Sequence, residues 1–179
     1  MEKIDHGAAA AAIHGIGRSP HWPMAEKHCL ANNPVCAASG IKTGLQVHHI
    51  FPFHFCILVG RPDLELDMQR NGIVLSESEK SLTEVNYHLL LGHAGFFQSS
   101  NLFVREDVKT FFGQTERQIA ANPLFASRVE NRCKPWDQWT AQQKTDFRAK
   151  LDQQCPLPVG ITPEQQVETL VTAMKVKNK

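Results

Sequence analysis

Short apolar runs and longer helical patterns follow one another along the chain, and together they predict an α+β fold. Residues 45–50 form an apolar run that ends before a proline, which cannot donate to a β-ladder, so a strand is predicted there. Asn71-Gly72 is a turn signal, and the apolar run 73–75 after it predicts a second strand. A helix is then predicted over residues 86–93. Strand, turn, strand and helix in this order make a ββα unit.

Helices are predicted on both sides of this unit. Ser19 as N-cap and Pro20 at the first helical position begin a helix over residues 21–31. Thr162 begins the last helix, in which Gln165 completes a capping box. Between them, residues 53–68 are predicted to be a long connection, and helices are predicted over residues 104–112, 115–121 and 136–154, the last being the longest.

Length and composition indicate one ordinary globular domain with an appended helical part. The chain has 179 residues, 42% of them apolar and 21% charged, which is a globular rather than a disordered balance. We interpret residues 1–18 as a flexible leader, residues 19–113 as the core domain and residues 114–179 as a helical extension, packed on the core or appended to it.

Cysteine usage and the lack of long apolar segments suggest a cell compartment. No stretch approaches the roughly 20 apolar residues that a membrane-spanning helix needs, and no secretory signal is recognisable. We therefore expect a soluble, cytoplasmic protein that does not bind membranes and whose thiols are mostly reduced. The cysteines are odd in number and irregularly spaced: Cys29, Cys36, Cys56, Cys133 and Cys155.

The most informative chemical pattern is the order His48-His49, Asn71, His88, His93. A divalent ion held by imidazoles, with a further imidazole as general base, is suited to hydrolysis of phosphodiesters. Neighbours on a strand point to opposite faces, so one of the paired histidines would bind the ion and the other would face a water molecule.

The remaining members of this pattern leave alternatives open. Asn71 can pin the turn through a main-chain carbonyl or fix the ring of the base. Five residues advance about 500° around an α-helix, so His88 and His93 reach one ion only if the helix is frayed at His88 or distorted at Gly92. The other histidines lack a metal-binding context, and His54 is expected on the surface or in a loop.

These residues, within residues 18–112, resemble the HNH endonuclease family, also called His-Me finger nucleases. The resemblance rests on the segments 36–40, 45–50, 63–67, 71–75 and 87–93. It implies a ββα-metal core, an HNH-like nuclease domain over residues 19–113, and DNA cleavage with one divalent ion (Mg, Mn, Ni or Zn). By motif, His49 matches the general base, Asn71 the residue that orients the base and the loop, and His48, His88 and His93 the metal ligands.

The chain departs from the family at the structural zinc that many members hold with two cysteine pairs. Cys36 is present, but Ser39, Ser76 and Tyr87 stand at the other positions. A serine hydroxyl is a poor zinc ligand, so no Cys-type structural zinc is expected.

The expected partner is DNA, with a homodimer possible. The net charge of +1 argues against a strongly basic coat but allows a local basic face. Residues proposed for that face are Arg61, Arg70, Arg105 and Lys109. Two alternatives remain: a catalytically degenerate ββα module that binds nucleic acid or a protein partner without cleavage, and a protein in which the histidines hold only a structural metal.

Overall fold

A computed structural model describes residues 5–77 and 85–177 and gives a mixed α+β protein with a small two-stranded sheet. In chain order the elements are α1 (His6–Ala12), α2 (Trp22–Asn32), β1 (Leu45–His49), α3 (Phe53–Leu58), α4 (Asp63–Leu66), α5 (Met68–Asn71), β2 (Gly72–Ser76), a π-helical turn (His88–Gly92), α6 (Val104–Thr110), α7 (Glu116–Ala120), α8 (Pro123–Glu130), a 3₁₀ turn (Trp136–Gln138), α9 (Ala141–Gln154) and α10 (Pro163–Lys177).

The chain forms two compact units, each assembled from separate segments. The first unit comprises Met1–His28, Phe51–Asn71 and Pro135–Lys179, and the second comprises Cys29–Ile50 and Gly72–Lys134. The predicted boundaries at residues 18 and 113 are therefore not the limits of either unit. Contacts between residues far apart in sequence produce this division, and a reading along the chain does not detect them.

The second unit is built around a β-hairpin. Strands β1 and β2 pair antiparallel, with His48 opposite Ile73 and His49 opposite Gly72. Both predicted strands are confirmed, and β2 starts one residue earlier than expected. Opposed residues of an antiparallel pair share a face, so His48 and Ile73 lie on one face and His49 on the other.

Helices α6, α7 and α8 complete the second unit. Helix α7 begins with the capping box of Thr115 and Gln118. Helix α8 was not predicted, because Pro123 was interpreted as a stop. In the structure Asn122 accepts from the main-chain N–H of Leu124, and the proline occupies the first turn, where its missing N–H costs nothing.

The first unit is helical, and here several expectations were wrong. The expected connection over residues 53–68 contains α3 and α4 and the start of α5, and the leader contains α1, whose N-terminus is capped by Asp5. The predicted helix over 136–154 is divided, because Thr140 caps a new helix through a capping box with Gln143. At 15 residues, α10 is longer than α9 with 14. No helix among residues 5–77 and 85–177 has the length and apolar character needed to cross a membrane.

A buried arginine holds the segments of the first unit together. Arg61 has no exposed surface, and its guanidinium donates to Asp63, to Asp152 and to the carbonyl of Cys155. Two of these partners lie about 90 positions further along the chain, so the arginine links the start of α4 to the end of α9. The expectation that Arg61 contacts nucleic acid was wrong, because its side chain has no surface available to a phosphate.

Candidate metal centre

Three histidines of the second unit converge on one point. His48 lies on β1, His88 begins the π-helical turn and His93 follows it. One ring nitrogen from each histidine lies within 4.8 Å of the other two, and this is the one group of its kind in the described part of the chain. The ring centroids are 4.8–5.2 Å apart, with interplanar angles of 67–81°. The predicted ligand set is therefore brought together.

The π-helical turn explains how histidines five positions apart reach the same point. A π-turn closes hydrogen bonds between residues i and i+5, one residue more than an α-helix, so residues five apart lie on the same side. This is the distortion that the spacing of His88 and His93 requires.

Polar groups outside the turn hold it in this geometry. Asn101 donates from its side-chain amide to the carbonyl of Leu91, and its main-chain N–H donates to the carbonyl of Gly92. The same amide donates to Asp107, which accepts from Arg128. Asn101 and Asp107 are almost fully buried, so an unpaired carbonyl or amide here would be costly.

The hydrogen bonds of His88 and His93 fix which nitrogen carries the proton. Nδ1 of His93 lies 2.7 Å from the carbonyl oxygen of Ser99, which can only accept, so this nitrogen donates. Nδ1 of His88 lies 2.5 Å from a carboxylate oxygen of Glu77 and also donates. In neutral rings both Nε2 atoms then carry lone pairs.

These two lone pairs face each other. The Nε2 atoms of His88 and His93 are 3.3 Å apart, so a proton or a cation must lie between them to offset the repulsion. Two nitrogens each bound at about 2.0–2.1 Å to a tetrahedral ion are about 3.3–3.4 Å apart. The separation therefore fits two ligands of one metal ion.

His48 contributes the third nitrogen. Its Nε2 is buried and has no hydrogen-bond partner within the described residues. Burial, followed by the charges that His93, His88 and His49 would carry, holds the pKa of His48 well below its usual value. The ring is therefore neutral at physiological pH and has a lone pair to offer. Gly92 makes room for it, since a Cβ there would lie 3.0 Å from Nδ1 of His48.

His49, matched to the general base, lies on the opposite face of β1. Its cross-strand neighbour is Gly72, which has no side chain. His49 is nevertheless 7% exposed. The ring that was expected to face a water molecule is therefore largely buried.

Asn71 forms its hydrogen bonds with main-chain groups and not with the ring of a histidine. Its Oδ1 accepts from the N–H of Phe51, and its amide donates to the carbonyls of Phe51 and Leu64. Both amide hydrogens are thus used within the first unit. Of the two predicted roles, the structure shows the hydrogen bonds to main-chain carbonyls. Phe51 follows His49 by two positions in the sequence.

The other predicted cations differ in their surroundings. Arg70 is partly buried and bound to Asp67 and to the carbonyl of Pro156. Arg105 and Lys109 are exposed and lie four residues apart on α6, so they share one face of that helix.

Two of the four positions compared with zinc cysteines, Cys36 and Ser76, have their side chains in contact. The hydroxyl of Ser76 donates to Sγ of Cys36 at 3.5 Å. Burial and then the neighbouring Cys36 raise the pKa of Tyr87, whose hydroxyl donates to the carbonyl of Gln114. All five cysteines are free thiols, and all except Cys133 are buried.

Two residues that contact the site were not predicted from the sequence, and the position of one histidine differs from the expected one. Glu77 and Ser99, which accept from the rings of His88 and His93, carried no sequence signal beyond their nearness in the chain to β2 and to His93. His54 was expected on the surface or in a loop, but it is buried in α3, stacks on His14 and has an Nδ1 without a partner within the described residues.

The chain was compared with protein families, curated proteins and solved structures. No family model, no curated protein and no solved structure matches the chain.

Proposed function

We propose that this protein is a metal-dependent endonuclease of the HNH type that hydrolyses DNA. In this proposal β1, β2 and the π-helical turn form the ββα-metal core. The observation that carries it is the convergence of three imidazoles from the hairpin and the following turn, with a further histidine adjacent in sequence. The contact between Cys36 and Ser76 is consistent with the same core, with packing in place of a structural zinc.

The residues present fit a divalent ion, which would be held by His48, His88 and His93. Such an ion supplies positive charge that stabilises the transition state of phosphodiester hydrolysis. Three nitrogen ligands favour zinc, nickel or another transition metal over magnesium, which prefers oxygen ligands. The donor set thus narrows the choice among the ions that the family resemblance implies.

Other residues of the chain would supply proton transfer, positioning of the base and contacts to DNA. His49 would act as general base and take a proton from the attacking water on one ring nitrogen. Asn71 would be a positioning residue, because it fixes the main chain at Phe51, just after the base. Arg105 and Lys109 would contact backbone phosphates, a sequence-independent contact that weakens as salt rises.

A plasmid assay tests this proposal. Supercoiled DNA is incubated with purified protein and Zn²⁺, Ni²⁺, Mn²⁺ or Mg²⁺, with and without EDTA. We expect nicking that EDTA abolishes and that His49→Ala reduces at least about 100-fold, the scale of a lost general base. His21→Ala, a histidine outside the centre, is the matched control and should leave nicking unchanged. Nicking that persists in EDTA or in His49→Ala contradicts the proposal.

Burial of the histidines favours one further candidate, a structural metal site. His48 is 3% exposed and His93 9%, and His49 lies between them at 7%. The ion would then join the π-helical turn to the hairpin without taking part in a reaction. This candidate predicts that EDTA lowers the melting temperature, that His49→Ala leaves the metal-dependent stabilisation intact, and that no metal supports nicking. Salt-dependent DNA binding without cleavage would instead favour a degenerate binding module.

A further inference from the structure

The three rings of the centre are supported in three different ways. His88 donates to the carboxylate of Glu77, and His93 donates to a main-chain carbonyl, that of Ser99. His48 is positioned by close packing against Gly92. One of the three supports therefore carries a full negative charge.

Glu77 is held in place as part of the fold. It follows β2 directly, and its N–H donates to the carbonyl of Gly44 at 2.7 Å. Gly44 has a φ of +61°, and a Cβ at that position would lie 2.8 Å from the carbonyl oxygen of Glu77. Only a glycine permits this close approach, so the backbone that aims the carboxylate at His88 is fixed.

The carboxylate of Glu77 and the ring of His88 are both largely buried. The side chain of Glu77 is 9% exposed and that of His88 10%, so water screens the pair poorly. A neutral imidazole compensates a buried anion only in part. A divalent ion bound to the far nitrogen of the same ring would add positive charge close to this carboxylate. The hydrogen bond to a carboxylate also orients a ligating ring and raises its basicity.

We propose that Glu77 is a positioning residue of the metal centre, which acts through His88 to set the affinity for the divalent ion. The inference rests on the proposed metal centre but not on nuclease activity. Glu77 keeps the Nε2 of His88 as a lone pair and strengthens it as a donor. It also lowers the net charge of the loaded centre, which favours a divalent ion over an empty site.

Two substitutions separate the charge from the hydrogen bond. Glu77→Gln keeps an oxygen that can accept from His88 but removes the charge, and Glu77→Ala removes both. Glu106→Gln is the matched control, because Glu106 is an exposed carboxylate of the same unit. The dissociation constant for Zn²⁺ is measured by competition with a chromophoric chelator, without DNA. Circular dichroism verifies that each variant is folded.

We expect Glu77→Ala to bind Zn²⁺ about 10–100-fold more weakly, the usual effect of losing such a partner. Glu77→Gln should fall between Glu77→Ala and the wild type, and Glu106→Gln should match the wild type. The imidazole ¹H–¹⁵N spectrum of the metal-free protein supplies a second readout. It should show His88 protonated at Nδ1 in the wild type and shifted towards Nε2 in Glu77→Ala.

The possible results are distinguishable. If folded Glu77→Ala binds Zn²⁺ as tightly as the wild type does, Glu77 has no role in setting the affinity, and the metal centre itself is unaffected by that result. If Glu77→Ala does not fold, wild-type affinity and an unchanged His88 signal in the isosteric Glu77→Gln overturn it instead. A wild-type protein that binds no divalent ion contradicts the metal centre itself, and with it both proposals.

Discussion

Gly92→Ala inserts one methyl group between the π-helical turn and the ring of His48. The new Cβ would lie 3.0 Å from Nδ1, 3.1 Å from Cε1 and 3.2 Å from Cγ of that ring. Ordinary contact begins near 3.4 Å, so the ring must withdraw by about 0.4 Å. Metal–ligand distances tolerate only about 0.2 Å. The displacement therefore moves the nitrogen of His48 out of bonding distance of the ion, although the imidazole itself is retained.

The effects on folding and on metal binding should separate. Replacing a helical glycine by alanine gains about 0.5–1 kcal/mol, and crowding a packed site costs about 1 kcal/mol or more. The metal-free protein should therefore change by no more than about 1 kcal/mol. At a metal concentration 100 times the dissociation constant, the ion stabilises the wild type by about 2.7 kcal/mol. Tenfold weaker binding lowers that contribution to about 1.4 kcal/mol.

The assay is urea unfolding of both proteins in EDTA and in excess Zn²⁺. Gly17→Ala is the matched control, because a Cβ at Gly17 meets nothing within 4 Å. Its zinc-dependent stabilisation should equal that of the wild type. An equal stabilisation in Gly92→Ala would show that His48 is not a ligand, and the three-histidine centre would have to be abandoned.

Three further predictions concern the first unit. Asn71→Ala leaves three main-chain groups without their partner and should lower the free energy of unfolding by about 3 kcal/mol or more in urea titrations. A smaller loss would show that the hydrogen bonds of Asn71 to Phe51 and Leu64 do not hold the main chain. Arg61→Met removes the bidentate partner of the buried Asp63, leaves Arg70 at 3.8 Å as its remaining cationic partner, and should cost about 3 kcal/mol in the same titration, whereas Lys109→Met should cost almost nothing. Burial, then His14 and Arg18, lowers the pKa of His54 from 6.5 to about 4. The folded state therefore favours the neutral ring, and the stability present above the unfolded pKa is lost as the pH falls from about 6.5 towards 4. His54→Phe should lose less stability than the wild type between pH 7 and pH 5, and equal losses would contradict this assignment.

The sequence by itself determined the features that depend on neighbouring residues. An apolar run ending at a proline fixed β1, because the pattern and the missing donor are local. The capping box of Thr162 and Gln165 fixed the start of α10 for the same reason. Residue types in order also singled out the three histidines that the fold brings together, since imidazole is the common ligand of transition metals.

Only the tertiary structure decided how these residues are used. The five-residue spacing of His88 and His93 was a difficulty until a π-helical turn, held by Asn101, placed them side by side. Arg61 was interpreted as a surface cation, because its partner Asp152 lies 91 positions away. The acceptor that gives His88 its tautomer is an acidic residue with no distinguishing motif. In each case the deciding interaction joins groups that the fold, rather than the local sequence, brings within hydrogen-bond distance, and its energy depends on a burial that sequence patterns do not reveal.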